Sequence, residues 1–207
     1  MYVPASFKVD DQATIDEFVE RYDFATIVSS PTSGIVATHA PVVVRRTPTG
    51  LVVVGHVARA NSHWEVMNGA DQLLVIFNGP HGYISPTWYA SGPAVPTWNY
   101  ATVHAYGKPR AIHDSAFIHE VLRELVHRYE KGVNAWRVED LPRDFRERLV
   151  SAVVGFEMPV ERLEAKFKLG QNRSAEDCTG VIAGLEREPS AEAAALAAFM
   201  RSHLVGG

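Results

Sequence analysis

The chain has 207 residues, of which 46% are hydrophobic and 21% charged, with 15 Gly and 12 Pro, the make-up of a soluble globular protein and not of a disordered, collagenous or fibrous one. Lys and Arg number 20 against 24 Asp and Glu, a net charge of −4, which offers no overall field to attract nucleic acid or an acidic surface. The single cysteine, Cys178, excludes an intrachain disulfide and a cysteine zinc cage and fits a reducing cytoplasm.

Residues 1–10 lack the basic and apolar blocks of a secretory signal, and no apolar run approaches the roughly 20 residues that span a bilayer. Asp10 or Asp11 is placed to cap a helix in which Ile15, Phe18, Val19 and Tyr22 recur at i, i+3, i+4 and i+7. Five segments rich in Val, Ile, Thr and aromatics follow at 24–29, 35–45, 51–56, 72–78 and 97–110, punctuated by SPTSG, TPTG, NGPHG and ASGP. The connections at 30–34 and 46–50 are too short for parallel crossovers, so hairpins are expected, and with them an antiparallel sheet closed into a barrel.

A helix is expected over 115–129 on the stripe Phe117, Ile118, Val121, Leu122, Leu125 and Val126, and another from Asp140–Leu141–Pro142 with Pro in its first turn. Residues 155–169 read as one strand with a register break. Ser174 with Asp177, and then Ser190, announce two C-terminal helices, the second Ala-rich. The expectation is a mainly β, α+β fold with peripheral helices: one domain over 1–173 and a helical extension over 174–207.

G-x-G-x-x-G, G-K-[ST] and G-x-S-x-G are all missing, which argues against a dinucleotide Rossmann site, a P-loop and a serine-hydrolase elbow. His119, Arg123 and His127 share a helix face, but a cation stands in the middle and no metal site is expected.

Four segments combine residues that a plain barrel does not require. In GHVARANSHW, residues 55–64, a strand ends and a short helix begins, and Arg59, Asn61 and Ser62 sit at the junction. A guanidinium beside unpaired helix N–H groups suits a phosphate, while a capped turn with a solvated Arg explains the same residues. GPHGYISPTWY and PTWNYATVHAYG bring Trp88, Tyr89, Trp98 and Tyr100, which can wall a planar ligand or fill a subunit interface. KFKLGQNR offers Lys168 and Gln171 to a ligand oxygen, or forms a basic turn.

Taken in order, GHVARAN, GPHGYISPTWY, VPTWNYATVHAYG and KLGQN, with the leader MYVPASF and the THAP hairpin, closely resemble the PaiB family. That family is described as FMN-binding transcriptional regulators and is related to the pyridoxamine-phosphate-oxidase-like split barrels. The resemblance covers residues 1–173. Gly170 departs from it, since Ser is usual there, and takes one hydroxyl from the ligand set. The resemblance implies an antiparallel split β-barrel of the FMN-binding type, and a homodimer with two FMN sites at the subunit interface. It maps the phosphate onto His56, Arg59 and Asn61. Thr38 and His39 then run along the isoalloxazine edge, and Trp88, Trp98, Asn99, Lys168, Gln171 and Asn172 complete the pocket, with the partner subunit as one source of them.

One fold hosts several chemistries, so three functions stay open beside a structural interaction module: an FMN-binding regulator or sensor, a flavin-dependent oxidoreductase drawing on NAD(P)H, and a haem binder using His39, His56 or His104. The DNA link comes from the family description alone. The most basic stretch, residues 143–148, also carries Asp144 and Glu147.

Overall fold

The computed structural model describes residues 1–204. Among these, the helices are α1 (Gln12–Arg21), α2 (His63–Gly69), α3 (Ser115–Tyr129), α4 (Arg143–Ser151), α5 (Ala175–Arg187) and α6 (Ala191–Leu204). The strands are β1 (Phe24–Ser29), β2 (Val36–Thr47), β3 (Gly50–Ala58), β4 (Leu73–Ile84), β5 (Thr97–Gly107), β6 (Arg110–Ile112), β7 (Val153–Pro159) and β8 (Arg162–Lys168). They lie in one eight-stranded sheet in the order β6-β7-β3-β2-β1-β4-β5-β8. The pairs β1–β2, β1–β4, β2–β3, β3–β7 and β6–β7 are antiparallel. The order has two ends, so the sheet is not closed, which corrects the expected closed barrel. The edge strand β6 has only three residues, too short to template a further strand.

The hairpin chemistry follows the sequence. In β1, Ala25, Ile27 and Ser29 are buried alternately, the period of a strand with one face inward. The β2–β3 turn pairs Thr47 with Gly50. Gly50 has φ +131°, a region that a side chain would strain, and Thr47 Oγ1 donates to Gly50 O at 2.9 Å.

Four expectations fail for identifiable reasons. The strand at 72–78 continues to Ile84, because Gly79 marks close packing and not a turn: a Cβ there would lie 2.6 Å from a ring carbon of Phe18. The strand at 97–110 divides into β5 and β6 around Lys108–Pro109, where Pro109 has no N–H to donate. The segment 155–169 is two strands, since the N–H groups of Val160 and Glu161 turn to Leu51 O and Tyr106 O, both at 2.8 Å. Asp140 does not cap α4; its carboxylate accepts from Arg137 N and closes a 3-10 turn, and Pro142 directly precedes the helix.

The chain divides into two compact units. The first comprises Met1–Phe18, Asn78–Val103 and Glu164–Gly207, and the second comprises Val19–Phe77 and His104–Leu163. In the first, Phe18, Phe167 and Phe199 form an aromatic triple with ring centroids 4.9, 5.2 and 6.0 Å apart, which fastens α6 and β8 together. The buried Asp177 carboxylate accepts from Ala90 N, Ser91 N and Ser91 Oγ at 2.9, 2.9 and 2.6 Å. The Ser91 bonds hold it below the usual carboxylate range and pin the β4–β5 connection to α5.

In the second unit, α3 is capped by Asp114, which accepts from Phe117 N at 2.8 Å. Val121 and Leu125 of α3 pack on Val43 of β2 and Val54 of β3, with Val52 and Phe117 against them. Leu125→Ala is expected to cost about 2–5 kcal/mol, the range for truncating a buried leucine, read as a lower urea midpoint; a midpoint within error of the native value would show that α3 does not depend on this contact.

Candidate functional site

The predicted site residues fall into two groups, one in each unit. The second unit holds Thr38 and His39 on β2, His56 on β3, and Arg59 and Asn61 in the turn between β3 and α2. Thr38 and Asn61 are in contact: Asn61 Nδ2 donates to Thr38 Oγ1 at 3.1 Å. His39 is exposed, its ring 6.3 Å from that of Phe24, which is itself 65% exposed.

His56 occupies the strand position opposite Gly155. Its Nδ1 is buried and has no hydrogen-bond partner among the described residues. An unpartnered buried nitrogen costs stability, so such atoms are rare and call for a reason.

Arg59 is anchored. Its Nε donates to Ser151 O at 2.7 Å and its Nη2 to Val153 O at 2.9 Å, while Nη1 stands 3.5 Å from His113 Nδ1. Ser151 is the last residue of α4, where a cation meets the negative end of the helix. Trp64 Nε1 donates to Arg59 O at 3.0 Å, and the Trp64 ring meets His113 edge-on at 5.2 Å. The side chain is therefore fixed through two of its five N–H groups, with full charge and further donors remaining. The helix that follows, α2, has only seven residues, so any anion affinity here rests on side chains and not on a helix end.

In the first unit Lys168 Nζ donates to Thr97 Oγ1 at 2.5 Å and to Trp98 O at 2.6 Å. Burial, then the charge of Lys166, pushes its amine below the ordinary lysine value. Trp98 is 53% exposed and lies 5.8 Å from the His81 ring. The Gln171 amide serves its own turn, accepting from Leu169 N at 2.8 Å and donating to Phe167 O at 2.5 Å. Asn99 is buried with Nδ2 toward Met200 Sδ at 3.6 Å. Trp88 lies on α5, where a Cβ on Gly184 would come within 2.3 Å of its indole. Asn172 is exposed in the turn. Gly170, the departure from the family pattern, has φ +94°, a backbone that glycine adopts without strain.

Sequence reading missed His63. It is fully buried, with Nδ1 2.8 Å from Thr38 Oγ1 and Nε2 2.9 Å from Ser29 Oγ. The motif GHVARANSHW contains it, but nothing local links it to residues 25 and 34 positions upstream. Arg59's anchors at 151 and 153 were equally invisible.

The profile described as "Putative FMN-binding domain" matches residues 1–162. The chain belongs to this FMN-binding family. Protein PAI 2 of Bacillus subtilis, named a protease synthase and sporulation protein, is 35% identical over 205 residues, covering 99% of this chain and 98% of that one. Among solved structures, the flavocytochrome Anf3 from Azotobacter vinelandii covers 84% of this chain and 75% of its own at TM-score 0.60 and 17% identity. The FAD and heme binding protein from Mycobacterium smegmatis covers 83% and 78% at TM-score 0.58 and 14% identity. At those identities the likeness is one of fold: the split barrel that the sequence motifs imply. FMN is the cofactor of the family, and no helix among the described residues is long and apolar enough to cross a membrane.

Burial depresses the imidazoles of His56 and His63 below the ordinary 6.5. The unfolded chain then takes up protons first as pH falls, so both rings contribute stability that is complete above about pH 6.5 and is lost on descent through their folded values. The urea midpoint is expected to fall from about pH 7.5 to about pH 5, with a shallower slope in His56→Gln; identical slopes would contradict the assignment for His56.

Proposed function

We propose that the chain forms a cytoplasmic homodimer that binds FMN at sites shared between subunits and acts as a flavin-dependent sensor or regulator of the PaiB type. The observation that carries the reading is the orphaned His56 Nδ1, on the strand that leads directly into Arg59 and Asn61. Those three residues would hold the phosphate. The carbonyls of Ser151 and Val153 keep the Arg59 guanidinium from swinging, so little side-chain freedom remains to be lost on meeting a dianion. Thr38 and His39 would face the polar edge of the ring, and Trp88, Trp98, Asn99, Lys168, Gln171 and Asn172 of a second copy would complete the pocket.

Bound FMN supplies one- and two-electron redox chemistry; the residues named here bind and orient. Support for a dimer comes from apolar side chains left in water within each unit, Phe24 at 65% and Ile35 at 77% exposed in the second, Val95 at 70% and Trp98 at 53% in the first. Support for a regulator comes from the full-length similarity to a protein named for protease synthesis and sporulation. The net charge of −4 favours an output through ligand or protein contacts over direct reading of DNA.

Titration of the purified dimer with riboflavin 5′-phosphate and with riboflavin, followed by flavin fluorescence, tests the phosphate assignment. The phosphate ester is expected to bind tighter, and Arg59→Gln to erase roughly 10- to 100-fold of that preference, the range for a charge-assisted hydrogen bond, while riboflavin binding stays unchanged. Equal affinity of the native protein for both compounds would remove the proposed cradle. When the flavin-loaded protein is mixed with NADH or NADPH, its absorbance near 450 nm, roughly where oxidised flavins absorb, is expected to persist; rapid bleaching would move the reading to an oxidoreductase.

A further inference from the structure

The side chains of Ser29, His63, Thr38 and Asn61 form a continuous hydrogen-bonded chain inside the second unit. His63 has no solvent exposure and Ser29 has 1%. The His63 backbone N–H donates to Asn61 Oδ1 at 3.1 Å, which orients the amide so that its NH2 faces Thr38 and donates to Oγ1 at 3.1 Å. One of the two lone pairs on Thr38 Oγ1 is thereby fixed.

A neutral imidazole carries one donor and one acceptor, so the chain has two self-consistent hydrogen arrangements. With the hydrogen on Nδ1, His63 donates to Thr38, both Thr38 lone pairs are filled, and the Thr38 hydrogen is free to point away from His63. Nε2 then accepts from Ser29 Oγ. With the hydrogen on Nε2, Ser29 accepts, Thr38 donates to Nδ1, and Thr38 is left with one open lone pair. The ring thus decides whether Thr38 offers a hydrogen or a lone pair, and of the two arrangements only the Nδ1–H one gives the buried Ser29 hydroxyl hydrogen an acceptor in this chain of bonds.

We propose that His63 is a positioning residue that, as the Nδ1–H tautomer braced by Ser29, presents the Thr38 hydroxyl as a hydrogen donor to the carbonyl and ring-nitrogen acceptors of a bound flavin. The proposal rests on the reading of Thr38 as facing the flavin ring. Burial agrees with it, since it keeps the ring neutral and so sensitive to its tautomer.

The test is a double-mutant cycle on riboflavin 5′-phosphate affinity, with 15N shifts of the His63 ring recorded alongside. Thr38→Val and His63→Gln are each expected to weaken binding roughly 3- to 10-fold, the range for one hydrogen bond, and the double variant to bind no more weakly than Thr38→Val alone. The ring of the flavin-loaded native protein is expected to show the Nδ1–H pattern, and Ser29→Ala, which keeps the ring, to shift it toward a mixture. Additive losses, or an Nε2–H pattern in the loaded protein, overturn the proposal, and the 15N result decides even where His63→Gln fails to fold. If the native protein does not bind riboflavin 5′-phosphate, the flavin reading falls and this inference with it; if it binds and His63→Gln and Ser29→Ala bind equally well, the inference alone falls.

Discussion

A buried imidazole in a protein interior must have both nitrogens satisfied, because water is not there to do it. His63 meets that demand with hydroxyls from two strands, Ser29 on β1 and Thr38 on β2, while its own backbone N–H binds Asn61 in the turn after β3. One residue, through its ring and its backbone N–H, therefore fixes the hydroxyl of Thr38, the amide of Asn61 and the course of the β3–α2 turn at once. Arg59, two residues before Asn61, is fastened independently to the carbonyls of Ser151, which ends α4, and Val153, which opens β7. Polar groups that would meet a ligand are thus set by bonds made before it arrives, which is the condition under which binding loses least to ordering.

The first unit uses different means. Three phenylalanine rings join α6 to β8, and a buried carboxylate, Asp177, gathers the two N–H groups and the hydroxyl at 90–91. Gly180 and Gly184 flatten one side of α5 so that the Trp88 backbone and indole can lie against it. Trp88 thereby shows how an aromatic in a suggestive motif can be engaged in packing, whereas Trp98, ten residues later, keeps half its surface in water.

What could be read from the sequence was whatever is local. The caps at Asp11, Ser174 and Ser190, the stripe of α3, and the two short hairpins depend on spacings of a few residues, and each is found in place. Boundaries failed where a residue's role is set from afar. Gly79 resembles a turn residue but serves Phe18, and 160–161 read as a register break because the N–H partners at Leu51 and Tyr106 lie 109 and 55 positions upstream. The site divided the same way. Arg59 and Asn61 were conspicuous within one decapeptide; His63 stood in the same stretch but drew no notice, since its meaning comes from Ser29 and Thr38.

Each unit is assembled from separated stretches of chain, the first from three and the second from two. Because synthesis runs from the amino terminus, Phe18 must wait for the third of its unit's stretches, which carries Phe167 and Phe199, the rings that clasp it. The second unit has all its parts by residue 163. The order of maturation is therefore built in: the unit carrying the imidazole bridge can mature first, while the unit carrying the indoles of Trp88 and Trp98 stays incomplete until α6 is delivered.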